Sequence, residues 1–167
     1  MLKIDRLDIE LLGVLARNAR AGIVELASTL GVARNTVQAR LTRMTDDHLL
    51  SGFRPELDLT EIGIAVQAFM ALELQQGQLR AVVDALTSMP EILEIHATTG
   101  REDLLVRVAT ATQADLQNLI QEVVSITGVS HSNTTLALTT PLPYRIQPLL
   151  EHLGQQQGWG RSTPAPR

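Results

Sequence analysis

Apolar residues recur along the chain with two different periods, and the change from one to the other divides it. Up to about residue 50 the spacing is helical. Leu7, Leu11, Val14 and Leu15 share one face of a helix that Asp5 is placed to cap, running to about Asn18, with Asp8 near its exposed amides. A second helix begins near Gly22, carries Glu25 in its first turn and buries Leu26, Ala27 and Leu30. Gly31 ends it, because glycine takes the left-handed conformation cheaply. A third follows almost at once, from about Ala33 to His48. Val37, Leu41 and Met44 cluster on one side of it, Asn35, Gln38, Ala39 and Thr42 point away, and Thr36, Arg40 and Arg43 line a flank. Two short helices joined by a tight glycine turn, the second with a polar and basic outer surface, predict a helix-turn-helix in residues 1–50.

Residues 51–63 read as a connector. Leu50 to Leu59 has the pattern of a short bridging strand, which Pro55 keeps at an edge, and Thr60 to Gly63 is a hinge. From Ile64 the period becomes two. AVQAFMALEL places Val66, Ala68, Met70 and Leu72 on one face of a strand, and QLRAVVDALTSM is a helix burying Leu79, Val82, Val83 and Leu86 until Met89-Pro90 stops it. ILEIHATTG and DLLVRVAT are the next strands. A helix over about Gln113 to Ser125 buries Leu116, Leu119, Ile120 and Val123, Gly128 breaks it, and VSHSNTTLAL is the last strand. Strand, helix, strand, strand, helix, strand is the ferredoxin-like βαββαβ order, so the fold class is α+β with this unit spanning residues 64–144. Both helices lie on one sheet face. The other face, apolar at alternate positions on several strands, needs covering, and a second copy of the sheet covers it at least cost: a homodimer is expected. In the tail, residues 145–167, IQPLLEHL reads as one short helix. GQQQGWGRSTPAPR is polar, rich in Gly and Pro and expected to be mobile, with Trp159 a stray aromatic rather than a binding residue.

Composition narrows the chemistry. Apolar residues make up 44% and aromatics only 2%, so the cores are built from Leu, Ile, Val and Ala. The absence of cysteine excludes disulfides, iron–sulfur clusters and thiolate zinc sites. MLKIDRLDIE has no apolar signal core and no segment is long and apolar enough to span a bilayer, so a soluble, cytoplasmic protein with no membrane partner is expected. His48, His96, His131 and His152 are scattered without ligand or catalytic spacing, and no nucleophile–base set or phosphate-cradling glycine loop is present. The expectation is a protein that is not an enzyme and holds no metal or cofactor.

Charge changes the picture most. The formal net charge is −4, yet residues 1–54 carry eight Lys or Arg against six acids, whereas residues 61–167 carry six against ten. Leu26 to Met44 holds Arg34, Arg40 and Arg43 and no acid at all. A helix laid in the major groove lies between two phosphate strands that repel carboxylates. Double-stranded DNA is therefore the expected partner. Arg40 and Arg43 are placed to reach phosphates, and Arg34, Asn35 and Gln38 base edges, with Thr36 beside them.

These segments in this order resemble the Lrp/AsnC (leucine-responsive, feast/famine) family of transcriptional regulators. The match runs from about Ile4 to Tyr144. IDRLDIELL is similar to the family's first helix with its paired aspartates, NARAGIVELASTLGVARNTVQARLTRM to its helix-turn-helix, and LLSGFRPELD to its bridging strand. HATTGREDLLVRV resembles a strand–turn–strand in which members carry Gly-x-x-Asp, and ITGVSHSNTTLAL the last strand. The resemblance implies a C-terminal regulator-of-amino-acid-metabolism domain, a dimer that assembles to tetramers or octamers, and a small amino acid bound between dimers. It places the effector at Thr99, Gly100, Arg101, Glu102 and Asp103, with Thr134 nearby. The chemistry fits: Gly100 allows close backbone approach for a carboxylate, and Asp103 offers an anion to an ammonium.

The chain departs from the family at three places. Ala33 stands where a capping Ser is common, which leaves the third helix short of about 0.5–2 kcal/mol of capping energy unless a DNA phosphate replaces it. Leu104 stands where many members carry an aromatic beside the ligand loop, and the tail continues past Leu150. Two rival readings share the pattern. One is a sensor or oligomerisation module that no longer touches DNA. The other is a decarboxylase of the haem-pathway type built on the same fold, which requires basic and histidine side chains converging on a large cavity.

Overall fold

Asp5 starts the first helix by a capping box: its carboxylate accepts from the Asp8 amide while the Asp8 carboxylate accepts from the Asp5 amide, both at 3.0 Å. The computed structural model describes residues 4–155, and the chain divides into two compact units. Residues up to Pro55, together with those from Pro143 on, form one; Glu56–Leu142 form the other.

The first unit holds α1 (Arg6–Arg17), α2 (Ile23–Leu30) and α3 (Arg34–Asp46). Gly31, at φ 66°, closes α2 in the left-handed conformation foreseen for it. Leu7, Leu11, Val14, Leu15, Leu26, Ala27, Leu30, Val37 and Met44 make the core, with Leu41 packed at its margin. α3 stops two residues before the expected His48, because His48 itself turns left-handed at φ 56° and the amides of Leu49 and Leu50 fold back onto the Met44 carbonyl, each at 2.9 Å. The tail supplies a helix where IQPLLEHL predicted one, α6 (Gln147–Gly154), and it packs on α1. The polar remainder of the tail and Trp159 lie outside the described residues.

In the second unit, β1 (Val66–Leu74), α4 (Leu79–Thr87), β2 (Ile92–Ala97), β3 (Leu104–Thr110), α5 (Gln113–Ser125) and β4 (Val129–Leu136) follow in the predicted order. The sheet runs β2-β3-β1-β4, with antiparallel pairing throughout. This is the ferredoxin-like arrangement. Ala68, Met70 and Leu72 alternate inward on β1 and meet Val82 and Leu86 of α4, and Leu116, Leu119 and Val123 of α5, in one core. Thr112 caps α5 through a second capping box with Asp115. Leu79 differs from its expected burial: as the first residue of α4 it projects from the helix end and is 47% exposed.

The bridging strand is the main difference. Residues 51–63 form neither strand nor helix. A strand is held by a neighbouring backbone, and among the described residues this stretch makes no ladder hydrogen bond to one; Pro55 also removes a donor. Its one ordered feature is a turn in which Asp58 accepts from the Thr60 amide at 2.9 Å and Ile64 donates to the Leu59 carbonyl at 2.8 Å. Phe53, Leu57 and Ile62 stand exposed along it. The open face of the sheet is also more mixed than the alternation implied. Phe69, Ala71 and Leu105 lie at its centre, beside Gln67 and Arg107 (3.0 Å apart) and a Glu94–His96 pair at 3.1 Å. Among the described residues no helix is long and apolar enough to cross a membrane.

Candidate functional site

The outer surface of α3 is set by what lies behind it. Val37 and Met44 are buried against α1 and α2, which fixes the rotation of the helix and turns Arg34, Asn35, Gln38, Ala39 and Thr42 to solvent. Gln38 Nε2 donates to Thr42 Oγ1 at 3.4 Å, a weak contact that either side chain gives up easily. Among the described residues the Arg34 guanidinium has no hydrogen bond or ion pair. Thr36 is half-buried, on the flank. No acid lies between Leu26 and Met44, so this face is cationic and donor-rich as the pattern implied. Ala33 caps α3 with no side-chain hydrogen bond; the Thr36 amide turns back to the Ala33 carbonyl at 3.0 Å, and among the described residues the Arg34 and Asn35 amides meet no acceptor.

Arg40 and Arg43 behave differently from Arg34. Arg40 Nη1 donates to Asp5 Oδ1 (2.7 Å), Asp5 Oδ2 (2.8 Å) and Asp8 Oδ1 (2.7 Å), and its side chain is 12% exposed. Arg43 Nη2 donates to the other oxygen of Asp8, yet 44% of its side chain remains exposed. Asp8 is fully buried. Burial alone raises the pKa of its carboxyl, but the Asp5 amide and the two guanidinium groups outweigh that and hold it below the ordinary aspartate value. The same pairing, working against burial, raises Arg40. The geometry therefore makes Arg40 a brace between α1 and α3 and not a side chain reaching outward to phosphate. Arg43 is tied to the same carboxylate but keeps part of its side chain open to solvent.

The pattern carried a signal for this brace. Asp5 and Asp8 are spaced i, i+3 on one helix, and Arg40 and Arg43 are spaced i, i+3 on another, so two packed helices set acids opposite bases. Reading Asp5 and Asp8 as capping residues alone missed their second role.

In the other unit, Thr99–Asp103 forms the turn between β2 and β3. Gly100, at φ 120°, takes a backbone conformation that side chains rarely adopt. Thr98 closes the turn, its amide donating to the Asp103 carbonyl (2.9 Å) and its hydroxyl to the Glu102 carbonyl (2.5 Å). Asp103 is tied to β1: its amide donates to the Leu72 carbonyl (2.8 Å) and its Oδ2 accepts from the Leu74 amide (2.7 Å), which leaves Oδ1 open. Arg101 reaches back to Glu73 at 2.7 Å. Thr134 is not brought into this cluster. It pairs with Met70, two residues along β1 from the Leu72–Leu104 row, on the strand beyond. Leu104 is wholly buried in the core beneath the helices, not turned toward the loop.

Comparison with known proteins matches both units. Residues 4–45 fit the AsnC-type helix-turn-helix domain and residues 67–146 the Lrp/AsnC ligand binding domain. The regulatory protein AsnC of Haemophilus influenzae is 27% identical over 150 residues, covering 89% of this chain and all of that protein. The transcriptional regulator FL11 of Pyrococcus horikoshii is 26% identical over 147 residues, 85% of this chain and 97% of its own. Among solved structures, E. coli AsnC superposes with a TM-score of 0.81 at 28% identity, covering 88% of this chain and 100% of that one. A transcriptional regulator from Neisseria meningitidis, described as its L-Met complex, shares the fold with a TM-score of 0.80 at 22% identity, covering 88% and 99%. The relatives are named as regulators rather than enzymes. With a DNA-reading helix pair and a ligand-binding sheet unit matched in register, this chain belongs to the Lrp/AsnC family of helix-turn-helix transcriptional regulators.

Proposed function

We propose that the protein reads DNA with the outer face of α3 and adjusts that grip to a small amino acid bound by the sheet unit. Arg34, Asn35 and Gln38 meet base edges in the major groove, with Thr36 at the flank. Arg43 lends its exposed part to a phosphate, and Arg40 holds the helix at its angle. The unsatisfied amides at the start of α3 take a phosphate where a serine cap would otherwise sit. The observation that carries the reading is the Arg34 guanidinium, unpaired among the described residues on an acid-free face.

The effector end is argued from Thr99, Gly100, Arg101, Glu102 and Asp103. Open amides around Gly100 suit a carboxylate, and the free Oδ1 of Asp103 suits an ammonium. That the Neisseria meningitidis neighbour is described with L-Met supports an amino acid as the ligand class. Thr134 enters this site only from a second copy or through a movement of β4. Exposed Phe69 on the open sheet face and exposed Phe53 and Leu57 in the connector support a homodimer, able to assemble to a tetramer or octamer in the cytoplasm. Two α3 helices of a dimer then address major grooves about 34–36 Å apart.

A mobility-shift titration on the DNA upstream of the protein's own gene, repeated with each of the twenty amino acids, tests this. Retardation that at least one amino acid strengthens or weakens is expected. No retardation at any amino acid, even at low salt, overturns it.

A further inference from the structure

On the open side of the sheet, side chains fall into rows that cross the strands. One row runs Glu94, Arg107, Phe69, Thr135 from β2 to β4, and the next runs His96, Leu105, Ala71, Asn133. Arg107 therefore stands on an inner strand, beside the exposed Phe69, while its chain neighbours Val106 and Val108 turn into the core beneath.

The register sets Glu94 directly across from Arg107, yet the two do not pair. Arg107 Nη2 donates to Gln67 Oε1 at 3.0 Å, and Glu94 Oε1 meets His96 Nε2 at 3.1 Å. Among the described residues no carboxylate lies within ion-pair distance of Arg107, and Glu94 Oε2 has no partner. Covering this face with a purely apolar surface would strand the Arg107 charge away from water without a counter-ion. Whatever covers it must bring an anion to Arg107 and a cation to Glu94. A second copy brings both. A two-fold contact sets one patch against itself, and β2 and β3 lie about 4.8 Å apart. An axis along the strands then places each Glu94 within reach of the other copy's Arg107, twice per dimer.

We infer that Glu94 and Arg107 are the charge key by which this chain selects a second copy of itself. The inference rests on the proposed homodimer and adds to it the residues that choose the partner. Glu94 keeps His96 on one oxygen and offers the other to the second copy, while Arg107 turns its remaining guanidinium donors outward. A sheet of the same fold without the complementary pair leaves Arg107 unmatched and is refused on that account.

The test is a charge swap in the full chain, read by sedimentation equilibrium, with circular dichroism to verify folding. Glu94→Arg puts two cations on the face and Arg107→Glu two anions, so each variant alone meets like charge at both contacts. Each should self-associate about 100-fold more weakly than wild type, roughly tenfold for each of the two contacts. Mixed in equal amounts, the two should form a heterodimer, and the double variant Glu94→Arg/Arg107→Glu should recover a homodimer. Single variants that dimerise as wild type does, or a mixture that stays apart, overturn the charge key and leave the homodimer reading standing. A wild-type chain that is monomeric at every concentration removes the homodimer reading and the key with it. Should Arg107→Glu fail to fold, Glu94→Arg decides, since that side chain is 52% exposed. A dimer weakened more by Glu94→Arg than by Glu94→Ala supports the key, and an unchanged dimer overturns it.

Discussion

Replacing Asp8 by alanine removes the carboxylate to which both Arg40 and Arg43 of α3 are tied. Asp8 is fully buried and accepts from three donors: the Asp5 amide, Arg40 and Arg43. Arg40, at 12% exposure, keeps only Asp5 afterwards. Breaking a buried, hydrogen-bonded pair by deleting one partner costs about 3–5 kcal/mol, because the other charge is left without compensation. Arg43 adds little to that sum, since its exposed part is rehydrated. The surface pair Arg6–Glu10, at 3.4 Å, is the internal comparison, and Glu10→Ala should cost no more than about 1 kcal/mol. Urea unfolding followed by circular dichroism measures both. Arg40→Ala should resemble Asp8→Ala, and the double variant should lose about 0.5–3 kcal/mol less than the two singles added together. The pH dependence follows from the same network. The folded-state pKa of Asp8 lies below its unfolded value, so its contribution is fully present above the unfolded value of about 3.9 and is lost as pH falls through the folded one. Wild type should therefore lose stability steeply below about pH 4, and Asp8→Ala should flatten that limb. A cost for Asp8→Ala no larger than that for Glu10→Ala would refute the brace.

Three further substitutions separate local effects. Ala33→Ser supplies the missing cap of α3 and should stabilise by about 0.5–2 kcal/mol, read as a raised melting temperature; no change would mean the first-turn amides are already satisfied. His48→Gly relieves a left-handed residue at the end of α3 and should add about 1 kcal/mol, or roughly 4–8 °C for a unit of about 60–100 residues. Removing one phosphate contact lowers the salt slope of DNA binding by about one. Arg43→Ala should do so, and an unchanged slope would confine Arg43 to the brace.

Much of this architecture could be read from periodicity, because each element buries a face against its own unit. Leu7, Leu11 and Val14 on α1, and Ala68, Met70 and Leu72 on β1, mark their elements by spacing alone. What spacing leaves out shares one physical cause: it depends on what lies across space. Leu50–Leu59 has a strand's composition, but a strand exists only with a neighbour to bond. Arg40 has a phosphate contact's composition, but α1 brings two carboxylates to it first. Thr134 and Asp103 are both polar near strand ends, yet the register sets them on different strands and rows. α6 was legible as a helix, whereas its seat on α1 rests on Gly13 and Gly154, whose packing partners no spacing announces.

The most direct test of the account is a comparison of specific with non-specific DNA affinity for Arg34→Ala/Asn35→Ala/Gln38→Ala against wild type at fixed salt. These side chains are exposed and bear little of the core, so thermal unfolding should be unchanged. Base-edge contacts contribute about 1–3 kcal/mol of discrimination each. The triple variant should accordingly bind the operator and a scrambled duplex almost alike. Undiminished preference for the operator would place sequence reading elsewhere on the molecule and contradict the account.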